Sequence, residues 1–302
     1  MKISTYLIIF FIILLFALGF VLGYNQNPNA TKFQNENNKF IDHNERQIYE
    51  ERQIGITDQQ ETKNNIVFGT KTDNETESEK APDVEYYKKA KVLQNLYPDT
   101  FIMNHQTFEK KIALTFDDGP DGKTTPRILD TLKEYNVTAT FFVLGKNVKL
   151  YPKIVNRMIN EGHQVANHSW SHLRPTELSL EEFLLEIDSA EEILQNYINR
   201  LEFFYYRPPY GLLTPEQIEE INYKGYKIIS WSIDSLDWNV SEPEKIQDKV
   251  ISSVHPGAII LMHSAGGKDQ REGTIKALPG IIENLTKQGY EFVTVHNLIN
   301  EI

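Results

Sequence analysis

The chain has 302 residues, no cysteine, and 31 basic against 42 acidic side chains, which gives a formal net charge of −11. The lack of cysteine excludes a disulfide framework, thiolate metal ligands and a cysteine nucleophile, so any metal site must use histidine and carboxylate ligands. The acidic balance argues against a nucleic-acid partner, because phosphate binding relies on basic surface. Hydrophobic residues make up 40% of the chain, which is enough for a packed core.

Residues 1–23 predict an N-terminal membrane anchor. The apolar run Tyr6–Leu22 follows a single charged side chain, that of Lys2. At about 1.5 Å per residue, a helix of this length crosses most of the roughly 30 Å hydrocarbon core. Lys2 predicts a cytoplasmic N-terminus and a single-pass protein whose remaining chain is extracellular. Secretion after signal-peptide cleavage is the alternative, although the run is long and no A-x-A pattern follows it.

Residues 24–109 predict a low-complexity polar linker. Asn, Gln, Glu, Lys and Thr dominate this range, and too few apolar residues recur to offset the entropy of ordering the chain. A helix is possible within it, around Val84–Leu96. A flexible tether of roughly 85 residues has a root-mean-square reach of about 50 Å.

Residues 110–302 predict an α/β domain, because short apolar runs alternate with stretches of helical spacing. The predicted strands are Ile112–Phe116, Ala139–Gly145, Gln164–His168, Phe203–Arg207, Lys227–Ile233, Ala258–His263 and Glu291–Val295. The predicted helices are Pro126–Tyr135, Leu180–Tyr197, Pro215–Asn222, Pro243–Ser252 and Ile275–Lys287. About seven strands alternating with helices favour a distorted (β/α) barrel, with a doubly wound open sheet as the alternative.

Polar side chains with catalytic potential follow several of these strands. They are Asp117, Asp118, His168, Arg207, Asp234 and His263. The carboxyl ends of barrel strands form the active-site face, so this distribution is expected of catalytic groups. A core histidine or a capping aspartate could explain any one of them, but chance hardly explains the whole set.

Two short patterns suggest a metal site. Asp117 and Asp118 precede a Gly-Pro turn, which on its own is more typical of a helix cap than of a site. His168 and His172 are four residues apart and can meet one ion if the segment is helical or tightly turned. Alone this spacing is a weak signal, but with one carboxylate it supplies a His₂Asp set that leaves coordination positions open, as a catalytic site requires.

The motifs together resemble the polysaccharide deacetylases, the NodB-homology group also called carbohydrate esterase family four. TFDDGP (Thr115–Pro120), HSWSH (His168–His172), RPPYG (Arg207–Gly211), DSLDW (Asp234–Trp238) and LMH (Leu261–His263) correspond to the five motifs of that family, in the family's order. The resemblance covers nearly all of residues 110–302 and none of the predicted anchor or linker.

The resemblance implies a metal site and a general base. Asp118, His168 and His172 would bind a divalent metal, usually zinc in this family, although cobalt, nickel or manganese would also suit these ligands. Asp117 would be the general base that takes a proton from the attacking water. Arg207 would orient Asp117 and keep it ionised.

The resemblance also implies an oxyanion donor, a general acid and a pocket wall. The backbone N–H of Tyr210 would stabilise the tetrahedral oxyanion together with the metal. His263 would protonate the departing amine, and Asp234 would fix the tautomer of His263 and raise its pKa. Leu261 and Trp238 would wall the pocket for the acetyl methyl group, although both could equally be ordinary core residues.

Three other features receive a structural interpretation or none. His163 precedes a predicted strand and is interpreted as a buried, hydrogen-bonded histidine. Asp237 could cap or orient the loop that carries Trp238. The polar, glycine-containing loop Ser264–Thr274 could border the substrate cleft and shift the preferred sugar position, but its sequence assigns it no role.

The predicted function is metal-dependent removal of N-acetyl groups from a cell-wall glycan. N-acetylglucosamine of peptidoglycan is favoured, because the predicted anchor and linker would hold the domain in the wall. Chitooligosaccharide, N-acetylmuramic acid and O-acetylated xylan are alternative substrates. A catalytically dead glycan-binding domain is the alternative from another class, and it is disfavoured because metal ligands, base and acid occur together.

Overall fold

The protein is described from a computed structural model that covers residues 82–198, 204–267 and 271–300. The predicted anchor at residues 1–23, and the predicted linker as far as residue 81, lie outside the described residues and stay predictions. Within the described ranges, every helix is too short or too polar to span a membrane.

The described chain alternates short strands with helices, as the sequence predicts. The helices are α1 Pro82–Leu96, α2 Thr124–Glu134, α3 Gly145–Leu150, α4 Pro152–Asn160, α5 Leu180–Leu194, α6 Pro215–Tyr223, α7 Pro243–Ser253, α8 Glu272–Lys287 and α9 Val295–Ile299. The strands are β1 Phe101–Ile102, β2 Lys111–Asp117, β3 Thr140–Val143, β4 Gln164–Asn167, β5 Tyr205–Tyr206, β6 Lys227–Ile229, β7 Ile233–Asp234, β8 Ile259–His263 and β9 Glu291–Phe292.

Eight parallel strands form the sheet in the order β1-β6-β5-β4-β3-β2-β8-β7, and β9 pairs with the start of β2. The eight strands curl into a half-barrel, which confirms the distorted (β/α) barrel. Because neighbouring strands run parallel, all their carboxyl ends lie at one end of the barrel. The residues that follow β2, β4, β5, β7 and β8 therefore converge there.

The predicted strand Lys227–Ile233 is divided into two, and this raises the strand count above seven. β6 pairs with β1 and β5, whereas β7 pairs with β8 on the other side of the barrel. At the break, the carbonyls of Ile229 and Ser230 accept hydrogen bonds from the side chain of Arg207. An apolar run predicts a strand but not its partner, so the switch was not visible in the sequence.

The folded domain begins before residue 110, where the sequence analysis placed its boundary. Helix α1 confirms the helix suggested around Val84–Leu96, and β1 was not predicted. Ala90, Leu93 and Phe101 are fully or almost fully buried. The range 82–109 is therefore part of the domain rather than linker.

Two of the helix starts that the sequence suggested are confirmed by their capping. Ser179 and Thr214 each accept a hydrogen bond from the third residue of the helix that follows, and that residue's side chain bonds back to the cap. Helices α3 and α4 were not predicted, although the apolar residues of α4 (Ile154, Val155, Met158 and Ile159) have helical spacing.

The core has two faces separated by the sheet. Leu114 and Phe116 on β2 pack outward against residues of α2 such as Leu129. Their neighbour Ala113 points inward, where it belongs to a second cluster with Leu261 of β8. This alternation follows from the two-residue period of a strand and leaves the barrel end free for polar side chains.

Candidate active site

A cleft of about 580 Å³ opens at the carboxyl ends of the strands. All the predicted site residues line it except Arg207, which lies directly behind Asp117. The complete lining is Tyr86, Lys89, Asp117, Asp118, His168, His172, Arg174, Pro208, Tyr210, Leu212, Trp231, Asp234, Trp238, Leu261, His263 and Arg271.

Asp118 and two histidines form a compact group of metal-ligand atoms on one side of the cleft. Asp118 Oδ1 lies 3.6 Å from His168 Nε2 and 3.2 Å from His172 Nε2. One ligand atom from each residue lies within 4.8 Å of the other two. Asp118 has a φ of 71°, which ends the regular strand and lets it share the pocket with Asp117.

The backbone around the histidines presents both rings to this point. Ser169 and His172 have φ values of 72° and 69°, so the segment is a tight turn rather than a helix. His168 Nδ1 donates to the Arg207 carbonyl over 2.7 Å. This bond fixes the tautomer and leaves the lone pair of His168 Nε2 facing Asp118.

These three residues fit a divalent metal. Asp118 Oδ1 is buried and has no hydrogen-bond partner among the described residues, and an unsatisfied buried carboxylate oxygen is costly unless a cation binds it. Burial alone would raise the pKa of Asp118, but His168 and His172 hold it well below its usual range. The carboxylate is therefore ionised, as a metal ligand must be.

Asp117 and Arg207 form a buried ion pair behind the metal ligands. Arg207 Nη1 donates to Asp117 Oδ1 over 2.7 Å, and the exposed fractions of the two residues are 0% and 3%. The other oxygen of Asp117, Oδ2, lies 3.8 Å from His168 Nε2. The arrangement confirms the predicted contact and points one free carboxylate oxygen toward the metal site.

Further hydrogen bonds hold the guanidinium of Arg207 in place. Nε donates to the Ile229 carbonyl and Nη2 to the Ser230 carbonyl, both over 3.0 Å, and Nη1 also donates to Thr115 Oγ1. Its carbon lies 4.0 Å from the ring centre of Phe142. Burial lowers the pKa of Arg207, while Asp117 opposes that shift. The guanidinium keeps its charge because its unperturbed pKa is far above neutral.

His263 is paired with Asp237, and the prediction that Asp234 would be its partner is wrong. His263 Nδ1 donates to Asp237 Oδ1 over 2.7 Å. Burial alone would lower the pKa of His263, but Asp237, with smaller contributions from Asp118 and Asp117, raises it to about 9. The imidazole is therefore protonated at neutral pH, and the proton on Nε2 is the one that can be donated.

The two aspartates of this loop have exchanged the expected roles. Asp237 Oδ2 accepts from the His263 backbone N–H and from Thr274 Oγ1, so the carboxylate is held from three directions. Asp234 instead accepts from Leu236 N and from Trp238 Nε1, and burial raises the pKa of Asp234. Asp234 thus orients the Trp238 loop, the role that the sequence analysis offered to Asp237.

Leu261 and Trp238, the two predicted pocket walls, both line the cleft, and their contact with an acetyl group stays a prediction. Trp238 is 45% exposed at the rim, whereas Leu261 is buried at the base of the cleft. Tyr210 has a φ of 62°, and its ring lies edge-on to His172 with 4.9 Å between ring centres. The carbon of the Arg174 guanidinium lies over the Tyr210 ring, 3.9 Å from the ring centre. The oxyanion role of the Tyr210 N–H stays a prediction.

The range predicted as a polar loop, Ser264–Thr274, contributes Arg271 to the cleft, a residue that the sequence analysis did not single out. Residues 268–270 of this range lie outside the described residues. Arg271 is 7% exposed, donates from Nε to the Ala265 carbonyl, and places Nη2 3.8 Å from Asp118 Oδ2. Gly267, whose φ is 78°, packs against this guanidinium. A lone arginine in a polar loop carries no pattern that predicts such a contact.

His163 has the structural role predicted for it. It is buried at the opposite end of β4 from the cleft, and its Nδ1 accepts from the Ala139 backbone N–H. Burial lowers the pKa of His163 to about 4, so the side chain is neutral.

Comparison with known proteins places this site in a family. Residues 104–229 match the family described as Polysaccharide deacetylase. The chain is 40% identical to a peptidoglycan-N-acetylglucosamine deacetylase of Bacillus cereus over 191 residues, which cover 62% of this chain and 68% of that protein. It is 42% identical over 194 residues to peptidoglycan-N-acetylglucosamine deacetylase PgdA of Listeria monocytogenes, covering 64% of this chain but only 39% of that protein.

A relative with another sugar in its name and a solved structure extend the comparison. Peptidoglycan-N-acetylmuramic acid deacetylase PdaA of Bacillus subtilis is 36% identical over 206 residues, covering 67% of this chain and 76% of that protein. The crystal structure of the Bc1960 peptidoglycan N-acetylglucosamine deacetylase superposes with a TM-score of 0.63 at 37% identity, covering 66% of this chain and 92% of that one. From the site and these similarities together, the chain belongs to the polysaccharide deacetylases, enzymes that hydrolyse non-peptide carbon–nitrogen bonds.

Proposed function

We propose that the protein hydrolyses the N-acetyl group of N-acetylglucosamine in peptidoglycan, releasing acetate and leaving a free amine on the sugar. The observation that carries the proposal is the meeting, in one cleft, of a His₂Asp metal-ligand group, a buried aspartate paired with arginine, and a protonated histidine. The names of the Bacillus cereus and Listeria monocytogenes relatives support the choice of sugar.

Asp117 is the base in this proposal. Its Oδ1 is taken by Arg207, so Oδ2 is the oxygen available to accept a proton from the attacking water. The buried guanidinium of Arg207 holds this carboxylate in place through the bond to Oδ1. Thr115 Oγ1, which accepts from the same Nη1, helps fix the geometry.

His263 is the acid. Its Nδ1 is bonded to Asp237, so the proton on Nε2 is the one transferred to the nitrogen of the breaking carbon–nitrogen bond. Protonation of that nitrogen turns a poor leaving group into an amine. Leu261 and Trp238 flank the position of the acetyl methyl group, and the Tyr210 N–H is the proposed donor to the oxyanion.

Asp118, His168 and His172 would hold a divalent metal, with zinc as the proposed ion and cobalt, nickel or manganese as alternatives. When bound, such an ion supplies Lewis acidity, which polarises the amide carbonyl and makes water acidic near neutral pH. Arg271, beside the second oxygen of Asp118, limits how that carboxylate can rotate.

N-acetylmuramic acid is the second candidate substrate, because the named Bacillus subtilis relative acts on it. The two sugars differ by the lactyl ether on the muramic acid. Chitooligosaccharide and acetylated xylan remain further alternatives within the same chemistry.

The test is acetate release by the full-length, metal-loaded protein from intact peptidoglycan, with mass analysis of which sugar has lost its acetyl group. We expect the digest to contain glucosamine residues in place of N-acetylglucosamine. Acetate release should be lost after chelation and recovered after zinc is added back. Asp117→Asn should reduce the rate by about 10²–10⁴-fold, whereas Asp188→Asn on the exposed surface should leave it unchanged. Deacetylated muramic acid alone would contradict the proposed sugar. No acetate from peptidoglycan, and none from a chitooligosaccharide or acetylated xylan assayed in the same way, would contradict the activity.

We also propose that the protein is a single-pass membrane protein with its catalytic domain outside the cell. The apolar run Tyr6–Leu22 and the basic Lys2 support this arrangement. Mass analysis of the mature N-terminus in isolated membranes would test it. An intact N-terminus in the membrane fraction is expected, and a shortened protein in the medium would favour cleavage and secretion.

A further inference from the structure

Helix α1 forms one flank of the active-site cleft, although it precedes the segment 104–229 that matches the family. Tyr86 and Lys89, both on α1, are among the residues that line the cleft. The sequence analysis assigned this part of the chain to the linker. Helix α1 therefore contributes side chains to the wall of the cleft.

Tyr86 packs closely against the strand-to-strand segment between β6 and β7. Its ring stacks on Trp231 with 4.6 Å between ring centres and 10° between planes. Its hydroxyl is hydrogen-bonded to Ser230 Oγ. Gly211 permits this approach, because a Cβ on that residue would lie 2.6 Å from the Tyr86 ring.

The same segment holds the guanidinium of Arg207. The Ser230 carbonyl accepts from Arg207 Nη2 over 3.0 Å, and the ring centre of Trp231 lies 5.7 Å from the Arg207 guanidinium carbon. Tyr86 therefore contacts both Ser230 and Trp231, the two residues of this segment that lie next to the Arg207 guanidinium. Arg207 in turn donates to Asp117 Oδ1, so two successive layers of contacts connect Tyr86 to the proposed base: Ser230 with Trp231, and then Arg207.

A second tyrosine attaches α1 to the same segment. The Tyr87 hydroxyl accepts a hydrogen bond from the Asp234 backbone N–H over 3.1 Å. The rings of Tyr86 and Tyr87 are also in edge-to-face contact, with centres 5.5 Å apart. Two adjacent side chains of α1 thus hold the segment 230–234 at both ends.

We propose that Tyr86 is a positioning residue for catalysis: through Ser230 and Trp231 it holds Arg207, and through Arg207 it aims Asp117. Helix α1 then belongs to the active site, although the sequence analysis assigned it to the linker. The proposal rests on the proposed role of Asp117 as the base. Misplacement of a catalytic group by about 1 Å can cost on the order of 10²-fold in rate.

The test is steady-state kinetics of the full-length, metal-loaded protein on a soluble N-acetylglucosamine oligomer. We expect Tyr86→Ala to lower kcat by about 10- to 100-fold with KM changed less than about twofold, because the interaction acts on the base and not on ground-state binding. Tyr86→Phe, which keeps the stacking, should recover most of that loss. Lys88→Ala, on the exposed side of α1, is the matched control and should equal the wild type.

A double-substitution cycle tests the route to Arg207. Because Tyr86 and Ser230 share one hydrogen bond, the pair Tyr86→Phe with Ser230→Ala should be no slower than the slower single variant. A raised KM with unchanged kcat in Tyr86→Ala would overturn the proposal in favour of direct substrate contact. A lower melting temperature with unchanged kcat would overturn it in favour of fold support alone. Full activity of Asp117→Asn would show separately that the assigned base is wrong, and the proposal would fall with it.

Discussion

The two ion pairs of the cleft each contain an aspartate but differ in the cation that is paired with it. Asp117 is paired with Arg207, a permanent cation that is fully buried and held by three further hydrogen bonds. Asp237 is paired with His263, a cation that can lose its proton, and the His263 side chain is 14% exposed. In the proposed mechanism, the carboxylate of the first pair faces the reacting atoms and the cation lies behind it. In the second pair the order is reversed.

The difference follows from what each pair has to do. A base must stay ionised, so its partner must be a charge that pH does not remove, and arginine meets that need. An acid must give up its proton and take it back, so the titrating group faces the substrate and the fixed carboxylate lies behind it. Reversing the first pair would place at the reacting atoms an arginine, which cannot give up its proton.

The largest expected effect is on the unfolding free energy, when the ion pair of Asp117 and Arg207 is broken. Arg207→Met leaves Asp117 buried without its counter-ion, which costs on the order of 3–5 kcal/mol of unfolding free energy. Denaturant unfolding of the metal-free protein measures this loss. Lys224→Met removes an exposed ion pair with Asp188 and should cost less than about 1 kcal/mol. Equal losses in the two variants would contradict the buried pair's importance.

The acid pair should make stability depend on pH. The pKa of His263 is about 9 in the folded protein against 6.5 for an unperturbed histidine. Its contribution to the unfolding free energy is therefore complete below pH 6.5 and is lost as pH rises through 9. The loss is at most about 3 kcal/mol. Denaturant unfolding of the metal-free protein across this range measures it, and Asp237→Asn should flatten the profile.

The smallest effect separates the two aspartates of the DSLDW motif. Asp237→Asn removes the charge that raises the pKa of His263, so the alkaline fall of kcat should move to lower pH, with a loss of about tenfold at pH 8. Asp234→Asn leaves that pair intact and should keep the alkaline fall where it is. A shift in Asp234→Asn but not in Asp237→Asn would restore the original prediction. Rate profiles between pH 6 and 10 decide it.

The sequence predicted the residues of the site better than their pairings. Short apolar runs in the sequence indicated β2, β4 and β8, and the polar residues at the ends of these strands do lie together in the cleft. The choice between Asp234 and Asp237 depends on where the chain turns after β7. Leu236 has a φ of 61° there, and this turn brings the later aspartate back to His263. Nothing in the local pattern predicts such a turn.

The extent of the domain was harder to predict for a different reason. Helix α1 has few apolar residues. Ala90 and Leu93 are buried, and Tyr86 adds a stacked ring and a hydrogen-bonded hydroxyl. With so few apolar residues, the sequence of this helix resembles the polar chain before it. The polar loop that carries Arg271 was uninformative in the same way.

The left-handed backbone conformations around the cleft bear on how the enzyme could be engineered. Of the seven non-glycine residues with positive φ in the described chain, Asn136 alone lies away from the site; the others are Asp118, Ser169, His172, Tyr210, Leu236 and Arg271. Each such conformation costs on the order of 1–3 kcal/mol. A selection for heat resistance alone would therefore tend to relax these positions first, and heat-resistant variants obtained without an activity screen should often be poor catalysts.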